Sequence, residues 1–198
     1  MIKVGDIIKT LFKKYEVKEQ VDDSTYLVTC KNDKFLLRTF DINTEAGQDL
    51  ELSLTRIKTS GIKAPKLMLF DRKKGYAIVE YIEGISVAQY ISQKDLDDAI
   101  YEQLFSNAYL AKTSGATLKY EPNQWLINDA GIIYYVYPHI IKYSEEKDLV
   151  KHYISLWFNT KQLEKYLIDL GFKYDHKRIK DEYQTNKEML LKVVKFYK

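Results

Sequence analysis

Along the first forty residues the apolar positions change their period. Val4, Ile7, Ile8, Leu11, Phe12 and Tyr15 recur at three- and four-residue spacing with Lys3, Lys9, Lys13 and Lys14 between them, and this spacing predicts an amphipathic helix at the start of the chain. Residues 15–21, 26–31 and 34–40 are then rich in branched and aromatic side chains, parted by Asp22-Asp23-Ser24-Thr25 and Asn32-Asp33. They predict a meander of three strands. Asn43 or Thr44 supplies the cap of a helix that Gly61 closes, with Glu45 in the first turn where the helix dipole favours a carboxylate. Ala64-Pro65 leads into strands over 66–71 and 76–81, joined by Arg72-Lys73-Lys74-Gly75. The predicted order is β-β-β-α-β-β.

After Ile82-Glu83-Gly84 the pattern becomes helical. Helices are predicted over 87–92 and 96–113, the second carrying Ile100, Leu104, Ala108 and Ala111 and ending at Gly115. Residues 125–127 and 132–137 read as a hairpin about Asn128-Asp129-Ala130-Gly131. Beyond Pro138, helices are predicted near 148–157, 160–170 and 183–197, with Gly171 ending the second.

The length of 198 residues allows one compact unit or two small lobes. With 45% hydrophobic and 30% charged residues, the chain has the composition of a globular protein with a real core. The tyrosine content changes that picture: 17 tyrosines against 8 phenylalanines and 2 tryptophans mean many rings whose hydroxyl must reach solvent or a hydrogen-bond partner. Trp125 and Trp157 are expected as core anchors. A net charge of +3 is too close to balance for a dedicated nucleic-acid binder. The surplus is local, because the part after residue 140 holds 13 basic and 9 acidic side chains. Cys30 is the only cysteine and sits among apolar neighbours, which fits a buried strand thiol in a reducing compartment. No apolar run approaches the ~18 residues of a membrane span, and the opening Met1-Ile2-Lys3-Val4-Gly5-Asp6 lacks a signal-peptide layout. A cytoplasmic protein without membrane attachment is expected. His139, His152 and His176 lack the short spacing of zinc ligands, so no metal site is expected. Ser86, Ser106 and Ser114 have no nucleophile-elbow context.

Three motifs stand in order along this pattern: Gly61-Ile62-Lys63-Ala64-Pro65 before the fourth predicted strand, Ile78-Val79-Glu80-Tyr81-Ile82-Glu83-Gly84 at the end of the fifth, and Lys119-Tyr120-Glu121-Pro122-Asn123-Gln124 before the hairpin. With the order of elements, they resemble the protein-kinase-like superfamily, in particular aminoglycoside phosphotransferases and the small atypical kinases of the RIO and Bud families. The resemblance covers nearly all of residues 15–145. It implies an α+β, bilobal fold: residues 1–82 as a five-stranded antiparallel N-terminal lobe with one inserted helix and the leading helix, and residues 83–198 as a mainly helical C-terminal lobe. It also implies a nucleotide-sized cleft near the hinge Glu80-Tyr81-Ile82, with ATP as the cofactor.

Phosphoryl transfer relies on positioned charges: a lysine on the phosphates, carboxylate and amide ligands for magnesium, and an aspartate for the acceptor hydroxyl. The resemblance places Arg38 at the lysine position, with Glu51 as its helix partner, and Glu80 and Ile82 at the hinge. The catalytic-loop aspartate falls on Lys119, which cannot accept a hydrogen bond. The loop asparagine falls on Gln124 and the metal-binding aspartate on Tyr137, so magnesium is poorly provided for. Thr117 replaces the histidine that precedes the loop, and Val21-Asp22-Asp23-Ser24-Thr25-Tyr26 replaces the glycine-rich phosphate flap. Glu121 is the candidate substitute base, and Asp129 the candidate substitute ligand or a plain turn residue. The pattern resembles a pseudokinase acting as a scaffold or a regulatory module that binds a nucleotide or a protein partner. Two alternatives remain open. One is an atypical ATP-dependent phosphotransferase, acting on a protein or small molecule through Arg38, Glu51, Glu121 and Gln124. The other is a nucleic-acid-associated protein using the basic series Lys173, Lys177, Arg178, Lys180, Lys187, Lys192, Lys195 and Lys198 in residues 173–198.

Overall fold

The computed structural model describes residues 2–197, so Met1 and Lys198 lie outside the described residues. The chain is α+β and divides into two compact units, Met1–Lys58 with Pro65–Ile82, and Thr59–Ala64 with Glu83–Lys198.

The first unit is a curled antiparallel sheet of six strands with one helix. Its strands are β1 (Ile7–Lys9), β2 (Lys14–Gln20), β3 (Thr25–Cys30), β4 (Asp33–Thr39), β5 (Leu67–Asp71) and β6 (Tyr76–Glu80), in the order β1-β2-β3-β4-β6-β5. Helix α1 (Glu45–Ser60) connects β4 to β5. Thr44 Oγ1 accepts from Gly47 N at 3.2 Å, which caps α1, and Gly61 leaves the helix at φ +78°. Alternation along β2 sends Tyr15 and Val17 inward, where they join Tyr26, Val28, Phe35, Leu37, Tyr76 and Ile78 in one core. Cys30 packs at the edge of that cluster. The opposite face meets α1 through Leu50, Leu54 and Ala77. Strand β6 is therefore buried on both faces, and its sequence Tyr-Ala-Ile-Val reads as one apolar run. Register shifts between Val17 and Glu19 and between Leu67 and Leu69 bend the sheet.

The opening segment is not helical, and the sheet consequently has six strands where five were expected. Ile8 pairs with Tyr15 and Ile7 with Glu16 in a hairpin whose turn is closed by Thr10 N donating to Lys13 O at 2.9 Å. The spacing misleads because Leu11 and Phe12, which complete the helical stripe, sit in that turn at 93% exposure each. Pairing with β1 satisfies the outer backbone groups of β2, which a helix would leave bare.

The second unit contains β7 (Ile85–Ser86), α2 (Val87–Gln93), α3 (Asp98–Thr113), β8 (Ala116–Thr117), β9 (Trp125–Ile127), β10 (Ile133–Tyr135), β11 (Ile141–Lys142), α4 (Lys161–Asp169) and α5 (Glu182–Phe196). Ser86, Asp97, Thr160 and Asp181 cap the four helices in turn, so Ser86 serves structure. The expected regular helix near 148–157 is a π turn, Leu149–Tyr153, followed by a 3-10 turn, Ile154–Trp157. Trp125 and Trp157 meet edge to face at 6.0 Å in the core. The tyrosine hydroxyls here find backbone partners: Tyr101 donates to Trp157 O at 2.8 Å and Tyr135 to His139 O at 2.7 Å. Among the described residues, no helix is long and apolar enough to cross a membrane.

Candidate functional site

The loop before β9 and the strand that leaves β10 come together in the second unit. Pro122 opens a 3-10 turn, Pro122–Gln124, where its fixed φ costs nothing and its missing N–H is not needed. Gln124 N donates to Glu121 O at 2.9 Å and closes the turn. Two rings then pin the backbone of Lys119: the Trp125 indole donates to Lys119 O at 3.0 Å, and the Tyr135 hydroxyl accepts from Lys119 N at 3.2 Å. The Lys119 ammonium lies 4.3 Å from the centroid of the Tyr137 ring. The side chains of Lys119 and Tyr137 are thus in contact with each other, as a cation on a phenol face.

Glu121 and Gln124 flank this pair. Glu121 is half-buried and its Oε2 has no hydrogen-bond partner. Burial raises the pKa of Tyr153, and Glu121 pushes it further up while Lys119 opposes. Burial pushes the Tyr166 hydroxyl up to about 12, with Glu121 acting in the same direction. Tyr166 in turn accepts from Asn123 N at 3.2 Å. Gln124 spends an amide proton on Asn123 Oδ1 at 3.0 Å, and its peptide oxygen accepts from Val136 N at 3.0 Å. Asp129 is an exposed turn residue, and the turn is organised by its neighbour Asn128, whose Oδ1 accepts from Ala130 N and Ile132 N.

The remaining candidates lie in the first unit. Arg38 on β4 stands opposite Thr25 on β3 and Ala77 on β6, so it shares the sheet face that meets α1. Burial lowers the pKa of its guanidinium and the Asp22 carboxylate raises it, and the group stays cationic. Asp22 is held in its turn by Ser24 N at 2.8 Å. Glu51, expected beside Arg38, has Arg72 as its ion partner at 3.9 Å, a long and exposed pair of little energetic weight. Glu80 Oε2 accepts from Lys66 N at 3.2 Å while its own N–H donates to Lys66 O at 2.9 Å, which fastens the end of β6 to the start of β5. Ile82 is half-buried at the end of this unit.

No family model matches this chain, and no curated protein compared with it matches. The chemistry of the residues above is what bears on function. Two further residues matter to the geometry and carry no sequence signal of it. Asn107, 4% exposed within α3, accepts from Lys63 N at 2.7 Å and donates to Gln103 O at 2.8 Å, which anchors the Gly61–Pro65 motif at Lys63. Gly84 passes so close to β9 that a Cβ would stand 2.3 Å from Ile127 O. An asparagine inside a helix and a glycine after a strand look ordinary until the long-range contact is known.

Four of the eight cations of the basic C-terminal series are paired within the unit. Arg178 pairs with Asp95 at 2.7 Å, Lys180 with Glu188 at 2.6 Å, and Lys192 and Lys195 both with Asp98. Hydrogen bonds from Lys192 and Lys195 push the Asp98 carboxyl down to about 2. Lys198 lies outside the described residues. Among the described residues, no cluster of three or more His, Cys, Asp or Glu could hold a metal ion.

Proposed function

We propose that this chain is a kinase-like protein that has lost phosphoryl transfer and works as a regulatory or scaffolding module, binding a nucleotide or a protein partner. The run β2-β3-β4-α1-β5-β6, which follows the extra strand β1 in the first unit, supports the reading, as does Arg38 on the face that meets α1. The observation that carries the loss of chemistry is the Lys119 ammonium seated on the Tyr137 ring at 4.3 Å. Transfer needs a carboxylate to receive the acceptor proton and another to hold the metal that neutralises the moving phosphoryl group. Here one position is a cation, the other a phenol, and each is occupied by the other. Asp22, which acts electrostatically on Arg38, adds a charge that repels phosphate from the remaining cation.

The test is a titration of ATP and ADP with and without magnesium, followed by a transfer assay at high protein concentration. Nucleotide binding that is indifferent to magnesium, with no turnover, is the expected result. Robust transfer that survives alanine at both Arg38 and Gln124 would overturn the assignment of these residues. A second reading, an atypical phosphotransferase, rests on Glu121, whose unpartnered Oε2 is the one carboxylate of the loop available as a base. It predicts turnover that Glu121→Gln abolishes.

A further inference from the structure

The first unit holds a cavity of about 520 Å³ between the β1–β2 hairpin and β5, within the size range of small-ligand sites. Its wall is apolar, formed by Leu11, Phe12, Tyr15, Met68 and Leu69. Leu11 and Phe12 are 93% exposed and Met68 is 44% exposed, although none of them fills the cavity beside it. Isolated exposed apolar residues need no explanation, but a cluster that lines a concave site does.

Three lysines stand at the same site: Lys9, Lys13 and Lys74. Lys74 has Asp71 at 3.9 Å and donates to Lys9 O at 3.4 Å. Among the described residues, no carboxylate pairs with Lys9 or Lys13, and the Lys13 ammonium instead lies 5.7 Å from the Phe35 ring centroid. The site therefore keeps an excess of positive charge. An independent feature lies behind the wall. Tyr76 is 3% exposed in the same core cluster as Tyr15, and its hydroxyl has no hydrogen-bond partner. Burial raises its pKa, and the charges of Asp71 and Tyr15, both lining the cavity, raise it further. A buried hydroxyl without a partner costs free energy, although Tyr76 itself does not line the cavity.

We propose that this cavity binds a monomeric anionic amphiphile, an apolar chain or ring bearing one carboxylate, with its apolar body against Leu11, Phe12 and Met68 and its charge at Lys9 and Lys13. An acetate-sized anion lacks the apolar contact, and an uncharged chain leaves the ammonium groups unanswered.

The test is an amide chemical-shift titration of the full chain with dodecanoate, dodecanol and acetate, each below any micelle-forming concentration. Dodecanoate gives saturable shifts centred on residues 9–15 and 68–76, dodecanol binds about fivefold more weakly, as expected for two partly exposed ion pairs, and acetate gives none. Exchange of Lys9→Gln with Lys13→Gln lowers dodecanoate to the dodecanol level and leaves dodecanol unchanged. Leu11→Ser with Phe12→Ser, which alters only exposed side chains, weakens both ligands while the melting temperature holds. Equal binding of dodecanoate and dodecanol, shifts centred elsewhere, or no saturable binding overturns the proposal. So does association with anionic phospholipid vesicles, or with an acidic peptide, where monomeric dodecanoate fails to bind.

Discussion

The contact between Lys119 and Tyr137 makes a quantitative prediction. The ammonium lies 4.3 Å from the ring centroid, well inside the ~6 Å reach of a cation–π attraction, and both residues are half-buried. Exposed pairs of this kind are worth ~0.5–1 kcal/mol and desolvated ones ~2, so an intermediate site should give about 1 kcal/mol. A double-mutant cycle of Lys119→Met and Tyr137→Leu, read by urea denaturation, isolates that term from the separate costs of shortening each side chain. The same geometry fixes what single substitutions do to nucleotide binding. Tyr137→Asp alone replaces the ring by a carboxylate that the neighbouring ammonium pairs with, so it gives no magnesium-dependent stabilisation by ATP. Tyr137→Asp together with Lys119→Asp removes the competing cation and exposes two carboxylates to the metal, and a magnesium-dependent thermal shift appears. A coupling energy near zero, or a magnesium response from Tyr137→Asp by itself, would refute the idea that the two positions block one another.

Three other perturbations follow from single contacts. Gly84→Ala forces a Cβ against the Ile127 carbonyl of β9, a strand paired on both sides, and should destabilise the second unit by about 1–3 kcal/mol in urea melts. Tyr76→Phe removes a buried hydroxyl that has no partner and keeps the ring, so the protein without ligand should be as stable or up to about 1 kcal/mol more stable, and a loss of that size would show that the hydroxyl is in fact satisfied. Burial raises the pKa of Tyr101, Tyr120 and Tyr135 in the folded chain. Because the folded values lie above the unfolded value of about 10, their contribution is fully present below about pH 10 and is lost as pH rises through it towards the folded values. Urea midpoints should fall across that window while tyrosinate absorbance lags behind that of the unfolded chain, and coincident titration in both states would contradict the burial argument.

Much of the meander β2–β4 is legible because alternate residues there enter one core. Tyr15, Val17, Tyr26, Val28, Phe35 and Leu37 follow the pleat, and Thr44, Glu45 and Gly61 bracket α1 with capping chemistry. The leading hairpin is misread for a physical reason: periodicity assumes that apolar residues are buried, and Leu11 and Phe12 are apolar at an exposed turn beside a cavity. The π and 3-10 turns over 149–157 are invisible because apolar spacing does not distinguish the hydrogen-bond ladders. At the candidate site, Lys119, Gln124 and Tyr137 are legible as departures from a motif, since residue type alone excludes a base or a good magnesium ligand. That Lys119 and Tyr137 touch is not legible, because it depends on how β9 and β10 pair: Tyr135 opposite Trp125 sets where the chain leaves the hairpin.

The aromatic residues around the loop hold its backbone in place. The Tyr135 hydroxyl accepts from Lys119 N and donates to His139 O, and the Trp125 indole holds Lys119 O, so the backbone of Lys119 is fixed by two aromatic side chains. The Trp157 indole donates to Tyr120 O at 2.7 Å and ties the next peptide to the core in the same way. An active site needs polar groups held ready and left unpaired until substrate arrives, which is a source of instability. In this loop the backbone groups of Lys119 and the peptide oxygen of Tyr120 have partners inside the protein, whereas the buried Glu121 Oε2 has none. If the proposed loss of transfer holds, restoring it would require undoing contacts that hold the second unit together as well as replacing residues, whereas a binding module would gain from the rigidity those contacts confer.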